Sequence, residues 1–350
     1  MVKLLNHINT YQSEADYKND KSKNFPNVSY IVENDNVLFV KEKTDYSNDY
    51  LTFEAIEDGT FTFTGTNSNS LSYSLDDGHT WTALASGTAS PTVTAGNKIM
   101  WKGEMTPVDY SGVGTFSSTG RFEAQGNIMS LLFGDDFTNQ TDLTGKDYAF
   151  YELFYQNTNI KSAKNLILPA TKLANYCYQY MFYGCTSLVN APTLPATTLT
   201  DWCYSSMFNG CTNLKTAPVL PARTLASYCY SSMFNGCTSL VTAPELPTTR
   251  LASSCYNNMF NGCTGLTTVP ELPATRLASW CYSNMFNGCT KLSYIKCLAT
   301  DISASNCLSD WVTNVASTGT FVKAASMTSW RTGVNGIPEG WTVQNDGAIK

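Results

Sequence analysis

Residues 220–245 read LPARTLASYCYSSMFNGCTSLVTAPE, and the chain repeats this string almost residue for residue from Leu168, Leu194, Leu246 and Leu272. Cysteines mark the period. Cys177, Cys203, Cys229, Cys255 and Cys281 stand 26 residues apart, and Cys185, Cys211, Cys237, Cys263 and Cys289 follow each of them by eight. Self-similarity at a period of about 20 to 50 residues is the signature of stacked repeats, each too small to bury its own apolar face. Five clear units therefore cover 168–297 and predict a solenoid whose core exists only between neighbours.

Inside one unit, Leu225, Ala226, Cys229, Tyr230, Met233 and Phe234 fall on one arc of about 180° at 100° per residue. That spacing predicts a helix of about ten residues. Asn235-Gly236 then reads as a left-handed cap. Cys237 and Leu240 open an extended stretch that Pro244, having no N–H, interrupts. The expectation is one short helix and one short strand per repeat.

The Met-Phe pairs at 181–182, 207–208, 233–234, 259–260 and 285–286 are each followed by a Cys and a Leu, and the first four then by a Leu-Pro step. This pattern resembles the BspA-like leucine-rich repeats of gut Bacteroidales, whose usual unit carries Ala-Phe at the pair and is a few residues shorter. The resemblance covers residues 168–297 and implies a leucine-rich-repeat fold there. It leaves function open, since the same repeat serves adhesion, ligand binding and spacing.

The flanks have other patterns. Residues 51–147 hold alternating runs such as Phe61-Thr62-Phe63-Thr64, Leu71-Ser72-Tyr73-Ser74 and Lys98-Ile99-Met100-Trp101, separated by Gly, Asn, Asp and Ser. They read as short antiparallel strands of a β-sandwich-like domain. Ser74 to Trp81 fits the S-x-D-x-G-x-T-W Asp-box pattern seen in sialidase propellers; a single copy reads as a structural hairpin. The solenoid region is expected over 148–297, and residues 151–165 read as a divergent first rung in which Leu153, Phe154 and Ile160 take the Met, Phe and Leu places. Residues 298–350 read as a C-terminal cap closing on Trp330 and Trp341. Residues 1–50 are polar except for a candidate hairpin from Asn27 around Asn34-Asp35-Asn36, and read as an anchoring segment. The fold class is thus multidomain α+β, with sandwich-like and solenoid parts in succession.

Composition narrows the function. A net charge of −6 with 14% charged residues and no Lys/Arg block offers nothing to neutralise a run of phosphates, so nucleic acid is not expected. No run of about 18 apolar residues appears, so no membrane span is expected. Val2, Leu4, Leu5 and Ile8 break into polar residues at once, so no secretory leader is expected either. With only His7 and His79, a Ser-His or Cys-His catalytic pair has almost no candidates. Asp76/Asp77 and Asp135/Asp136 are adjacent pairs in expected turns, where Asp bonds its own backbone. The chain reads as non-enzymatic, with no cofactor and no catalytic or metal-binding residue. The cysteines are open to three readings: columns of buried thiols, disulfides within a rung, or zinc, the last opposed by the lack of CxxC and nearby His.

On the helical reading, the position holding Tyr176, Trp202, Tyr228, Ser254 and Trp280 points away from the apolar arc and forms an exposed aromatic row. A second row of Lys172, Thr198, Thr224, Arg250 and Arg276 grades from neutral to basic and could orient an anionic glycan. The candidate binding residues are Tyr176, Trp202, Tyr228, Trp280, Arg250 and Arg276; the alternative is that the rings merely cover neighbouring rungs. The Asn column at 209, 235, 261 and 287 reads as cap and ladder. The N-terminal piece resembles, loosely, those of structural proteins of Bacteroides phages, including the crAss-like group. The expected role is a virion head or tail fibre or decoration protein. It would dock on other virion or surface proteins through residues 1–50 and attach to a host glycan or surface protein through the solenoid, with further copies of itself as another expected partner. The alternative is an extracellular, cell-surface adhesin of the BspA-like family.

Overall fold

The computed structural model describes residues 28–33, 36–41, 49–65, 71–106, 109 and 114–347. The chain divides into two compact units, Met1–Asn48 and Asp49–Lys350. In the first, β1 (Val28–Glu33) and β2 (Asn36–Lys41) pair antiparallel, from Val28 opposite Lys41 to Glu33 opposite Asn36. The strands of the expected hairpin lie there, while Asn34, Asp35 and His7 fall outside the described residues.

The second unit begins with β3 (Leu51–Ala55), β4 (Phe61–Gly65), β5 (Leu71–Ser74), β6 (Thr82–Ala83), β7 (Lys98–Gly103), β8 (Gly114–Ser118) and β9 (Phe122–Asn127). One helical turn, α1 (Ser130–Phe133), follows, and β10 (Ile160–Ile167) comes after it. A six-stranded sheet runs in the order β10-β9-β3-β7-β5-β6, and β4 and β8 make a separate two-stranded ribbon. Period-two alternation explains the faces: Phe61 and Phe63 are buried between half-exposed or exposed threonines, and Ile99, Trp101 and Gly103 are buried on β7. Sheet and ribbon share one aromatic cluster. The Phe53 ring lies 4.9–5.7 Å from those of Phe61, Trp101, Phe116, Phe122 and Phe154. At Gly114 a Cβ would fall 2.0 Å from the Phe63 ring, so only glycine lets the ribbon close there.

Phe154 belongs to the first rung of the repeats, and so does β10, which pairs parallel with β9 at the edge of the sheet. The buried core accordingly runs without a break from Leu51 to Trp341.

The repeats contain turns where a helix was expected. Among the described residues the only α-helix is α1. Each rung instead carries a left-handed residue at every fourth position, as at Tyr228 (φ 57°), Ser232 (φ 55°) and Gly236 (φ 71°). Rungs so built start at Tyr148, Tyr176, Trp202, Tyr228, Ser254, Trp280 and Asn306. Backbone N–H groups alternate in direction. Those of Tyr230, Ser232, Phe234 and Gly236 donate to the next rung, to Cys255, Asn257, Met259 and Asn261, at 2.7–3.1 Å. Those of Ser231, Met233, Asn235 and Cys237 donate three residues back within their own rung, at 3.0–3.2 Å. A helix would bond its N–H groups beyond the first turn back within the rung and leave no regular series of donors to join rungs. The apolar pairs 225–226, 229–230 and 233–234 recur every 4.0 residues, which is the turn period and not the helical 3.6.

The expected strand is likewise reduced. In the middle rungs it survives as single bridges, such as Asn190 with Thr216 and Thr242 with Thr268. Two prolines per unit explain this: Pro192 and Pro195, or Pro244 and Pro247, remove ladder donors from the same stretch. Where the first of the two is replaced, by Leu166 and by Lys296, full strands form, as β10 at the first rung and β11 (Tyr294–Cys297) after the last regular one. β11, β12 (Thr320–Lys323) and β13 (Thr342–Asn345) pair parallel in sequence and extend the stack through the C-terminal segment.

The interior is built of identical residues in columns. Phe154, Phe182, Phe208, Phe234, Phe260 and Phe286 stack at 5.3–6.0 Å with planes within 11°. Tyr178, Tyr204, Tyr230, Tyr256 and Tyr282 form a second column at 5.5–6.1 Å. All twelve cysteines are free and buried. The thiols of Cys185, Cys211, Cys237, Cys263 and Cys289 each donate to the Phe carbonyl one rung earlier, at 3.0–3.1 Å.

Candidate functional site

The outward side of the turn stretches is what the ladder can offer a partner. The stretches 148–156, 176–184, 202–210, 228–236, 254–262, 280–288 and 306–314 contain no Lys or Arg, and their only charged residues are Glu152 and Asp310. The rest of the outward chemistry is Tyr, Trp, Ser and Asn. A long, rigid, nearly uncharged surface of aromatic anchors and small hydrogen-bonding groups has the composition that antibody loops use for recognition.

The aromatic row is brought together, though not on a helix. Its members occupy the first left-handed position of each rung: Tyr176 φ 58°, Trp202 φ 60°, Tyr228 φ 57°, Ser254 φ 55° and Trp280 φ 59°. Tyr148, one rung earlier, joins it. Tyr148 lies on Tyr176 at 4.6 Å and 1°, Tyr176 on Trp202 at 6.1 Å and 15°, and Trp202 on Tyr228 at 3.9 Å and 5°. These half-buried rings spend their faces on one another, so what they present outward is their edges. Ser254 ends the stack and is covered, at 1% exposure. Beyond it Trp280 is 43% exposed. The expectation of an exposed row at helical phase is corrected accordingly: a stack of four edge-on rings, then a gap, then one exposed indole.

The second row is split. Lys172 is paired with Asp142 at 2.9 Å and Arg276 with Asp301 at 3.3 Å, while Thr198 and Thr224 bridge rung to rung. Arg250 is exposed, its backbone N–H held by the Thr248 hydroxyl. The structure does not gather Arg250 and Arg276 with the aromatic stack into one site.

Sequence reasoning missed the tyrosines of the first two rungs. Tyr151, Tyr155, Tyr180 and Tyr183 lie beside Tyr148 and Tyr176, with ring contacts of 5.0–5.7 Å. In later rungs the same places hold Ser and Asn. The signal was present as the strings YAFYELFYQ and YCYQYMFYG, but it becomes a patch only when the rungs are aligned at a spacing of 28 residues for the first step and 26 thereafter.

The acidic pairs are structural. Asp76 accepts from the Thr80 hydroxyl and N–H and from the Ser74 hydroxyl at 2.7–2.9 Å, which holds it down at about 2. This closes the hairpin between β5 and β6, and Trp81 packs on Tyr50 at 4.8 Å with Lys102 over its ring at 4.4 Å. Asp135 takes the Lys102 ammonium at 2.7 Å and the Tyr50 hydroxyl at 2.7 Å. Burial pushes the Cys203 and Cys255 thiols up to about 12, far from the thiolate that reactivity requires. Among the described residues no group of three or more His, Cys, Asp or Glu could hold a metal ion, and no helix is long and apolar enough to cross a membrane.

Rungs joined by parallel bridges, apolar columns within and a Leu-Pro step between units are the build of a leucine-rich-repeat protein. The BspA type leucine rich repeat region matches the chain in six copies, over residues 146–267 and 225–314. Residues 146–314 are thus a BspA-type leucine-rich-repeat region. Neither the curated proteins nor the solved structures hold a significant match to it.

Proposed function

We propose that this is a non-catalytic attachment protein, its rungs winding as a solenoid and its turn face engaging a glycan or protein of a host surface. The observation that carries this reading is the stack Tyr148-Tyr176-Trp202-Tyr228, large rings held rigid at the surface. Rigid aromatic anchors give up little conformational entropy on binding, which is why they dominate recognition surfaces. The carrier in this reading is a phage particle, with residues 1–50 as the docking segment. Support for it is the likeness of that segment to N-terminal pieces of Bacteroides phage structural proteins. The second reading, a bacterial cell-surface adhesin, is favoured by the repeat type itself.

Two measurements test this. Replacing Trp202 and Trp280 together by Ala is expected to abolish attachment to intact Bacteroides cells while shifting the melting temperature by no more than a few degrees; unchanged attachment would remove the turn face from the reading. Antibody to residues 168–297, viewed by negative-stain microscopy, is expected to label capsids or tails. Label confined to cell surfaces would establish the adhesin instead.

A further inference from the structure

Six tyrosine rings make an unbroken chain across the first two rungs. Tyr155 stacks on Tyr183 at 5.0 Å, and Tyr183 meets Tyr180 edge-to-face at 5.7 Å. Tyr180 meets Tyr151 at 5.6 Å, Tyr151 meets Tyr148 at 5.5 Å, and Tyr148 lies flat on Tyr176. Glu152 sits in the middle of that chain, at the second left-handed position of its rung, with φ 57°. Its carboxyl lies close enough for its charge to be felt at Tyr151, Tyr155 and Tyr180, where it adds to burial in raising each hydroxyl. Both the carboxyl and the rings are half-buried and reach solvent.

A carboxylate in that position ordinarily has a Lys or Arg beside it. Glu152 makes no ion pair among the described residues, and the turn stretches supply no basic side chain anywhere. Burial raises its proton affinity, as expected of a charge left short of both water and a counter-ion. The faces of Tyr148 and Tyr176, and of Tyr155 and Tyr183, are taken up by one another, so what a cation meets here is the carboxyl, to which a guanidinium gives two parallel hydrogen bonds, with tyrosine hydroxyls around it as further acceptors.

We propose that Glu152 and the tyrosines around it form a seat for an arginine side chain of the protein partner. This rests on the attachment reading and deepens it: the partner is a protein presenting an exposed arginine, and the first two rungs are where its specificity is read. A sugar would meet the carboxylate with hydroxyl donors alone and leave its charge uncompensated, whereas an arginine supplies both donors and the missing cation, and that charge complementarity is what favours it.

The test is calorimetric titration of the full chain with acetyl-Gly-Arg-Gly-amide, and with the same peptide carrying citrulline, which keeps the shape and removes the charge. The expected result is binding of the arginine peptide at least tenfold tighter than that of the citrulline peptide. Glu152→Gln should abolish the difference at an unchanged melting temperature. In the unmodified chain the preference should also fade as pH drops and Glu152 takes up its proton, which needs no variant. Equal binding of the two peptides, or full preference retained in Glu152→Gln, overturns the proposal. Should attachment be lost on replacing Trp202 and Trp280 while the peptides bind alike, the arginine seat fails and the attachment reading stands.

Discussion

At the residue scale, identical positions do different work according to what faces them. The two cysteine series are an example. Cys237 lends its S–H to the Phe208 carbonyl, which already takes the Cys211 N–H, so the thiol fills a second lone pair inside the core. Cys229 is as buried, but no such bond is drawn from its thiol. Cys237→Ala should therefore cost about 1 kcal/mol more than Cys229→Ala, the net worth of one buried hydrogen bond, measured by thermal melting of both variants. Tyrosine hydroxyls give the opposite case. Those of Tyr178, Tyr204 and Tyr230 are buried with no hydrogen-bond partner among the described residues, whereas each ring is stacked on both sides. Tyr204→Phe keeps the stack and removes a desolvated hydroxyl, so its melting temperature should equal or exceed that of the parent. A fall of several degrees would show that the hydroxyl has a partner in solution.

At the scale of elements, the turn stretch replaces the helix because its hydrogen bonds are shared between rungs. Seven turns in register are each stabilised by the next, which offsets the strain of non-glycine residues at positive φ, a conformation costing about 1–2 kcal/mol apiece. The Asp-box hairpin is held by a different device, one carboxylate. The Thr80 hydroxyl and N–H and the Ser74 hydroxyl lower Asp76 from 3.8 to about 2. A depressed carboxylate stabilises the fold fully above its unfolded value, and that stability is lost as pH falls through the folded one. Between about pH 4 and pH 2 the hairpin should therefore loosen, seen as faster amide exchange at Gly78 and Thr80, and Asp76→Asn should remove this pH dependence. The four-residue period of the apolar pairs was legible in the sequence; read at 3.6 it gives a helix, and the drift of about 40° per turn between the two is what separates the readings.

At the scale of the molecule, a ladder whose rungs touch only their neighbours depends on its ends. The first rung is closed by the β sheet through β9 and β10, and Phe154 joins both the Phe column and the cluster around Phe53. The last is closed by Trp311, fully buried, with its ring 6.3 Å from Tyr282 and 6.1 Å from Trp330, and its indole N–H on the Gly336 carbonyl at 2.8 Å. Trp311→Ala should cost about 3–5 kcal/mol. Since nearest-neighbour contacts carry the stability, the loss should be felt first at that end, and limited proteolysis should begin C-terminal to residue 297 while the rungs before it persist.

The sequence by itself determined the repeat's period and the side chain that recurs at each place in its five regular units, because stacking copies the same side chain onto the same place and leaves the copy visible in the string; the further rung from Asn306 showed only in the structure. Which residues point outward at the surface was decided only by tertiary structure. Backbone donors turned toward the next rung, a bond no single unit can make, and that choice set the left-handed positions, stacked Trp202 on Tyr228 and gathered the tyrosines of two rungs around Glu152.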